Sequence, residues 1–295
     1  GEDENELRVA IRRIAQGRFS AFANERLKVG DRLDVMPPAG SFHAELAPDK
    51  ARLHLAIAAG SGITPVLGII KTVLAREPKS RVVLLYGNRS VETILFREQL
   101  EDLKNRYMTR LALHHVLSRE AQDAEILHGR IDAAKLRLVA RRLFRIENVG
   151  EAYLCGPAGM IDEAQATLCE LGLAPERIHS ERFHVEGAPA RITSAAPGPK
   201  RDGEAEITIR LDGLTRRFTM PFDGAAIIDA GTARGLNLPF SCKGGMCSTC
   251  RAKLVEGEVE MRLNYALTPK EVADGYVLTC QSHPLSERVV LDYDV

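Results

Sequence analysis

The placement of the cysteines is the strongest constraint that the sequence puts on folding. Four of the six cysteines follow residue 240, and the first three of these form the spacing C-x4-C-x2-C. The four are Cys242, Cys247, Cys250 and Cys280. A disulfide framework usually belongs to a small secreted domain with a signal peptide, but residues 1–6 are acidic and have no apolar core. We therefore expect reduced thiols, and a local fold that gathers them around a metal.

Two kinds of metal centre use four thiolates in this way. A [2Fe–2S] cluster can take three of its ligands from one tight loop, and Gly244 and Gly245 would let backbone amides approach its sulfides. A zinc ribbon instead uses two C-x2-C pairs, and Cys280 has no such pair mate. The spacing favours a [2Fe–2S] cluster, with zinc and metal-free thiols as the alternatives.

Composition excludes several other classes of protein. Lys and Arg number 40, as do Asp and Glu, so the basic excess of a typical nucleic-acid binder is absent. Aromatic residues make up 5%, without Trp, which disfavours a stacking surface for single strands. The sequence has no uninterrupted apolar run of the length of a spanning helix. We expect a soluble, cytoplasmic protein that binds neither nucleic acid nor membrane.

The middle of the chain, residues 49–186, alternates between apolar runs and helical patterns. Predicted strands cover residues 53–59, 81–86, 110–116 and 151–154; predicted helices start at Val66 and cover residues 94–106, 133–143 and 160–172. Alternating strands and helices of these lengths predict a doubly wound α/β domain.

The flanking segments have different patterns. Residues 1–48 predict strands at 7–14 and 33–35, a helical segment opening at Gly17 and a turn at 30–32, which indicates part of a β-rich unit. Residues 187–203 are rich in Gly and Pro and predict a linker. Residues 204–295 predict a third domain, with a hairpin of strands 205–211 and 214–220, a helix at 225–234 and a last strand at 289–293.

Two glycine-rich turns indicate a nucleotide site. Residues 60–65, Gly-Ser-Gly-Ile-Thr-Pro, lie between a predicted strand and a helix, where amides and the helix dipole favour phosphate. Residues 155–160, Cys-Gly-Pro-Ala-Gly-Met, follow another strand, at the edge where α/β folds bind ligands. Taken alone, the first turn also fits a tight connection without a ligand.

In this order, residues 60–65, 86–90, 155–157 and 181–183 resemble the ferredoxin–NADP reductase family. Residues 204–295, with Leu-Pro-Phe-Ser at 238–241, are similar to plant-type ferredoxins. The resemblance implies a partial β-barrel FAD domain (1–48), an NAD(P)-binding α/β domain (49–186) and a β-grasp [2Fe–2S] domain (204–295). It implies cofactor contacts from Gly17, Arg18, Phe19, Ser20, Gly60, Ser61, Gly62, Thr64, Pro65, Cys155, Gly156, Pro157 and Phe183, with Cys155 and Glu181 as catalytic candidates.

The order of the three domains is similar to that of reductase components of bacterial multicomponent oxygenases. This implies an oxidoreductase that passes electrons from NAD(P)H through FAD to a [2Fe–2S] cluster, and then to oxygenase subunits. The chain resembles in particular the reductases of phenylacetyl-CoA epoxidases, which implies a role in phenylacetate catabolism. A reductase of a steroid hydroxylase or Rieske oxygenase is one alternative, and a ferredoxin-type carrier without enzyme activity is another.

Two expectations concern the cofactors. Asn88, Arg89 and Ser90 offer a cation and a hydroxyl at the end of the second strand, where NAD-specific sites usually place an acidic side chain. This predicts a preference for NADPH. The family's flavin motif, Arg-x-Tyr/Phe-Ser/Thr, should precede Leu7 and is missing there, so we expect this chain as written to bind FAD weakly.

Overall fold

The computed structural model describes residues 6–13, 17–35, 40–183 and 203–295. The chain divides into two compact units: residues 1–38 and 42–181 form the first unit, and residues 39–41 and 182–295 form the second. Nearly all of the predicted linker lies outside the described residues. In the described part of the chain, no helix is both long and apolar enough to span a membrane.

The N-terminal segment differs from the prediction. The helical prediction is confirmed by α1 (Arg18–Glu25), and Gly30 lies in a turn closed by a hydrogen bond from Asp31 N to Lys28 O (3.1 Å). The strands predicted at 7–14 and 33–35 are wrong for the described residues, which contain no strand before residue 53. Leu7 is 94% exposed. Alternating apolar residues need partner strands and a core to form a sheet, and the described residues here have neither.

The first unit is built on one sheet. Its strands are β1 (Leu53–Ala59), β2 (Arg81–Asn88), β3 (Leu111–Leu117), β4 (Val149–Gly156) and β5 (Ile178–Arg182). The order across the sheet is β3-β2-β1-β4-β5. β1 pairs in parallel with β2 and β4, and β2 pairs in parallel with β3. The predicted doubly wound domain is therefore confirmed, and β5 is a strand that the prediction missed.

Four helices cover the two faces of this sheet: α2 (Ile63–Arg76), α3 (Arg97–Arg106), α4 (Ala133–Arg142) and α5 (Ala158–Glu170). Each predicted helix is confirmed with small shifts at its ends. α3 begins three residues late because Phe96 has a left-handed φ of 57°, which helical backbone does not allow. Leu55, Leu154 and Ile161 are fully buried in the core between the sheet and its helices, so burial of both faces explains why the strands read as continuous apolar runs.

The second unit has a mixed sheet and short helices. Its elements are β6 (Glu204–Leu211), β7 (Leu214–Pro221), α6 (Ile227–Ala233), β8 (Arg251–Glu256), β9 (Val259–Met261), α7 (Pro269–Ala273), β10 (Tyr276–Leu278), β11 (Ser282–Pro284) and β12 (Arg288–Asp292). Five strands form the order β10-β8-β12-β6-β7, and β11 pairs with β9. The predicted hairpin, helix and last strand are confirmed. Ile207, Ile227 and Leu291 form part of one fully buried core.

Candidate functional site

The carboxyl edge of the first sheet gathers the predicted nucleotide turns. Because β1, β2 and β4 are parallel, their last residues, Ala59, Asn88 and Gly156, lie at one edge. A Cβ on Gly62 would lie 2.8 Å from the backbone nitrogen of Gly156 and would overlap the carbonyl group of Cys155. The two glycine-rich turns are therefore in direct contact, and the contact requires glycine at position 62.

The first turn is held by side chains from its surroundings. Gly60 has a left-handed φ of 53°, and its carbonyl accepts a hydrogen bond from the Tyr86 hydroxyl at 3.0 Å. The Thr64 hydroxyl donates to Ser61 O at 2.9 Å. In the sequence, Tyr86 is only the first residue of the motif 86–90. Because β2 lies beside β1, its hydroxyl reaches the first turn and holds Gly60.

Helix dipoles give this edge a positive potential. α2 begins at Ile63, directly after the first turn, and α5 begins at Ala158, directly after Pro157. Neither helix has an acidic residue in its first turn to offset the positive end of its dipole. Both helix N-termini therefore suit the pyrophosphate of a dinucleotide.

The structure brings the two catalytic candidates close enough to interact electrostatically. Cys155 is completely buried; burial, assisted by the charge of Glu181, raises the pKa of its thiol to about 12. Burial also raises the pKa of the Glu181 carboxyl. The Cys155 thiol is therefore protonated at neutral pH, and a protonated thiol is a weak hydrogen-bond donor rather than a nucleophile.

The end of β2 carries the residues predicted to select the nucleotide. Asn88 is buried, and its backbone carbonyl accepts a hydrogen bond from Ser118 N at 3.0 Å. Arg89 is exposed, and its carbonyl accepts from Arg119 N at 2.8 Å. Ser90 N donates to the Thr93 hydroxyl at 3.2 Å. Arg119 was missed, although its position just beyond the third predicted strand could have indicated that it lies beside Arg89.

The four predicted ligand cysteines lie in one region of the second unit, three of them in the loop 242–250 between α6 and β8. Their thiols interact in two pairs. The interaction between Cys242 and Cys247 raises the pKa of the first thiol and lowers that of the second, and the interaction between Cys250 and Cys280 does the same. Cys250 and Cys280 are buried, whereas Cys242 and Cys247 are half-buried.

This pairing bears on the identity of the metal centre. Each iron of a [2Fe–2S] cluster can take two thiolates. Two pairs of thiols therefore suit a centre with two irons. The donor set fits the predicted cluster.

Backbone amides surround the sulfurs of this loop. Cys242 Sγ accepts from Gly244 N at 3.3 Å and from Met246 N at 3.4 Å, and Cys247 Sγ accepts from Cys242 N at 3.5 Å. Gly245 has a φ of +75°, and a Cβ there would lie 2.9 Å from Leu263 O, so only glycine fits. Amides directed at the sulfurs stabilise negative charge on a bound cluster.

Two protein-family models match the segments that contain the nucleotide turns and the four cysteines. Residues 56–166 match the family described as "Oxidoreductase NAD-binding domain", and residues 209–285 match "2Fe-2S iron-sulfur cluster binding domain". The chain is 43% identical to a subunit of the 1,2-phenylacetyl-CoA epoxidase of Escherichia coli K12, over 98% of this chain and 80% of that protein. It is 31% identical to the "3-ketosteroid-9-alpha-monooxygenase, ferredoxin reductase component" of Rhodococcus rhodochrous, over 97% of this chain and 78% of that protein.

The chain belongs to the family of oxygenase reductase components.

Solved structures share the fold of the reductase. Full-length CYP116B46 from Tepidiphilus thermophilus is 25% identical with a TM-score of 0.55, over 95% of this chain and 33% of that one. An intact type IV self-sufficient cytochrome P450 monooxygenase is 23% identical with a TM-score of 0.60, over 95% of this chain and 32% of that one. The reductase thus spans about a third of the length of these two proteins.

Two side chains next to Cys280 hold the backbone around the predicted cluster ligands. The fully buried Thr279 donates its hydroxyl hydrogen bond to Cys250 O at 3.0 Å, and its oxygen lies 2.7 Å from the Tyr293 hydroxyl. Gln281 Nε2 donates to Lys243 O at 2.8 Å and lies 3.8 Å from Cys280 Sγ. Sequence reasoning missed these residues, although Thr279 and Gln281 directly flank the fourth cysteine.

The residues predicted to bind FAD lie at the start of α1 and directly after β5. Gly17 precedes α1, Arg18 begins it, Phe19 is exposed, and the buried Ser20 donates a long hydrogen bond to Gly17 O (3.4 Å). Phe183 directly follows β5 and is half-buried. Their assignment to FAD stays a prediction.

Proposed function

We propose that this chain is the NADPH-dependent reductase subunit of a phenylacetyl-CoA epoxidase, delivering electrons to its oxygenase subunits in the cytoplasm. The observation that carries the proposal is the presence in one chain of a glycine-lined nucleotide edge and of four cysteines in one region, three of them in one loop. The identity of 43% to the E. coli protein, over nearly the whole chain, supports the choice of oxygenase. Neither nucleic acid nor membrane is needed as a partner.

In this proposal the carboxyl edge holds the dinucleotide. The backbone N–H groups of residues 60–64, and those of Gly156 and Ala158, bind the pyrophosphate, because both helix N-termini carry uncompensated positive ends. Arg89 and Ser90 bind the 2′-phosphate that distinguishes NADPH from NADH. Residues 49–186 form the domain that binds the dinucleotide.

Cys155 and Glu181 are assigned to the nicotinamide pocket. Hydride transfer needs no general acid or base, so these groups act by position. The protonated thiol of Cys155, with its pKa near 12, offers contact without a competing nucleophile. Burial also raises the pKa of the Glu181 carboxyl, the second titratable group assigned to this pocket.

Two further groups complete the proposed electron path. FAD is assigned to residues 1–48, with Gly17, Arg18, Phe19 and Ser20 at its pyrophosphate and Phe183 contributing from the end of β5. When bound, a flavin can accept a hydride and release single electrons, which a [2Fe–2S] cluster can carry. Cys242, Cys247, Cys250 and Cys280 are the proposed cluster ligands, in the domain 204–295 that follows the linker 187–203.

Reconstitution tests this function. The purified chain, loaded with FAD, iron and sulfide, is expected to reduce cytochrome c with NADPH and to support consumption of phenylacetyl-CoA by the oxygenase subunits of the E. coli epoxidase. Cys280→Ser is the control and should lose both activities. Cytochrome c reduction without phenylacetyl-CoA turnover would point to another oxygenase, with a 3-ketosteroid hydroxylase as the next to assay. Absence of both activities in the loaded chain would favour a simple carrier.

A further inference from the structure

A cleft of about 510 Å³ lies at the amino edge of the first sheet. It is bounded by the first residues of β1, β2 and β3, by the end of α3 and by the segment 141–148 at the end of α4. Since the nucleotide turns occupy the carboxyl edge, this cleft lies at the other end of the strands. A molecule bound here would leave the nucleotide edge free.

The lining of the cleft is strongly basic. Six of its residues are cations, and no lining residue in the described part of the chain is acidic. The cations are Arg81, Lys104, Arg110, Arg141, Arg142 and Arg145. The whole chain has a formal net charge of zero, so this concentration of positive charge is local and creates a field that attracts anions.

Two of the six cations have a structural role. Lys104 Nζ donates to Met108 O at 2.6 Å and to Leu111 O at 2.7 Å. Arg110 donates to Leu74 O at 2.7 Å and to Glu77 O at 3.0 Å. These bonds satisfy carbonyl groups at the end of α2 and between α3 and β3, as cations near helix C-termini commonly do.

The other four cations are not used in this way. Arg81, Arg141, Arg142 and Arg145 are exposed, and within the described residues their guanidinium groups have neither a carboxylate nor a carbonyl partner. Arg137, on the same helix as Arg141, shows the contrast: its Nη2 lies 2.6 Å from Glu170 Oε2. Four unpaired guanidinium groups around one concave surface leave their bidentate donors available to carboxylates.

The floor of the cleft adds an apolar contribution. Leu53, Leu143 and Phe144 line it, and Met108, which is 67% exposed, stands at its side. Arg, Met and aromatic residues are enriched in protein interfaces relative to other surfaces. The combination of apolar floor and unpaired arginines suits a protein segment better than an inorganic anion.

We propose that this basic cleft is a docking site for an acidic segment of a protein partner, in which carboxylates flank one or two apolar side chains. The carboxylates would bind Arg81, Arg141, Arg142 and Arg145, and the apolar side chains would cover Met108 and Phe144. The identity of the partner, an oxygenase subunit, rests on the proposed function; the chemistry of the cleft does not.

A peptide probe tests the cleft without the partner. The full, cofactor-loaded chain is titrated into the labelled peptide Glu-Leu-Glu-Glu-Phe-Glu, and binding is followed by fluorescence anisotropy at increasing salt. We expect saturable binding that weakens with salt and falls at least tenfold in the double variant Arg141→Glu/Arg142→Glu. Arg141→Gln/Arg142→Gln should show a smaller loss. The matched control is Arg216→Glu/Arg217→Glu, which reverses two exposed arginines of β7 and should bind like the parent chain.

The outcomes separate the cleft from general charge attraction. Absence of binding by the parent chain, or an equal loss in the two charge-reversed variants, would overturn the proposal. NADPH-dependent cytochrome c reduction should be unchanged in all three double variants, which also shows that they fold. The same variants are then tested against the epoxidase oxygenase subunits. If the parent chain binds the peptide through the cleft but does not bind those subunits, the proposed function fails and the docking site stands.

Discussion

The backbone of Gly62 lies directly against the carbonyl group of Cys155, with no space for a side chain between them. This contact joins the turn after β1 to the end of β4, which are 93 residues apart in the sequence. Gly62 itself has an ordinary φ of −60°. Its identity is therefore set by close approach rather than by backbone conformation, and the contact fixes the spacing of the two helix N-termini at the nucleotide edge.

Gly62→Ala should separate the two turns. The added methyl group must displace the backbone of Cys155 or Gly156, which costs about 1–3 kcal/mol as overpacking and should lower kcat/KM for NADPH by about tenfold or more, since small displacements of binding groups are costly. Steady-state kinetics and urea unfolding measure the two effects. Gly68→Ala, in the exposed middle of α2 with open space around it, is the control and should be neutral or stabilising by up to about 1 kcal/mol. Similar behaviour of the two variants would refute the steric argument.

Glu77 is expected to make the first unit sensitive to acid. It is fully buried, and burial alone would raise the pKa of its carboxyl. Hydrogen bonds from Arg52, Ser80 (2.6 Å), Ala47 N (2.8 Å) and His54 (2.9 Å) outweigh burial and lower the pKa to about 2. A lowered folded-state pKa contributes stability above the unfolded pKa of about 4.3, and this stability is lost as the pH falls towards 2.

The substitution Glu77→Gln tests this network. It should cost about 3–5 kcal/mol, the range for removing one partner of a buried ion pair, and should flatten the dependence of unfolding free energy on pH between about 5 and 2. Glu101→Gln, which breaks the half-exposed pair with Arg97, should cost less than about 1 kcal/mol. Urea unfolding of each variant across this pH range is the measurement, and equal costs would contradict the prediction.

The long elements that bury a large apolar surface were predictable because their sequence patterns are strong. β1 and α2 each bury a continuous apolar surface, and that requirement shows in the order of residues. The prediction failed for residues 7–14 and 33–35, where alternation describes a strand only if partner strands exist. It also missed β9, β10 and β11, which have three residues each and are too short to show a period.

Candidate site residues divide in the same way. Cysteine spacing and glycine-rich turns are local patterns, so they were visible in the sequence. The contacts that hold them are not local. Tyr86 reaches Gly60, Thr279 reaches Cys250 and Arg119 lies beside Arg89 only because separate strands are neighbours. The pattern of residues within one segment does not predict which other segment it will contact.

Cys280→Ser should remove the cluster. Cys280 pairs with Cys250, so its loss leaves one of the two thiol pairs with a single sulfur. We expect loss of the visible absorbance and of bound iron, while NADPH oxidation with a flavin-directed dye acceptor continues. Cys169→Ser, in α5 of the first unit, should retain iron and spectrum. Full iron and absorbance in the Cys280 variant would show that this ligand assignment is wrong.

Thr279→Val should loosen the cluster loop while the four cysteines remain. The buried hydroxyl joins Cys250 O to the Tyr293 hydroxyl, and burial raises the pKa of Tyr293 well above its usual value, so that the phenol stays neutral. Val leaves both groups without this partner, at a cost of about 1–3 kcal/mol. We expect faster loss of visible absorbance in mild urea. Tyr293→Phe keeps the bond from Thr279 to Cys250 and should lose the cluster more slowly; the reverse order would contradict this role for Thr279.

Arg89 should give the reductase its choice of nucleotide. It is exposed at the end of β2, and the hydrogen bond from Arg119 N to Arg89 O places a second arginine at the end of β3. A charge-assisted hydrogen bond to a 2′-phosphate contributes about 1.5–3 kcal/mol, so Arg89→Ala should lower kcat/KM for NADPH about 10–100-fold and leave the value for NADH nearly unchanged. Arg119→Ala should show the same selectivity with a smaller effect, and Arg97→Ala, at a half-exposed ion pair on α3, should change neither value. Initial rates of the parent chain with both nucleotides come first: equal kcat/KM values, or a preference for NADH, would show that these arginines do not select the cofactor.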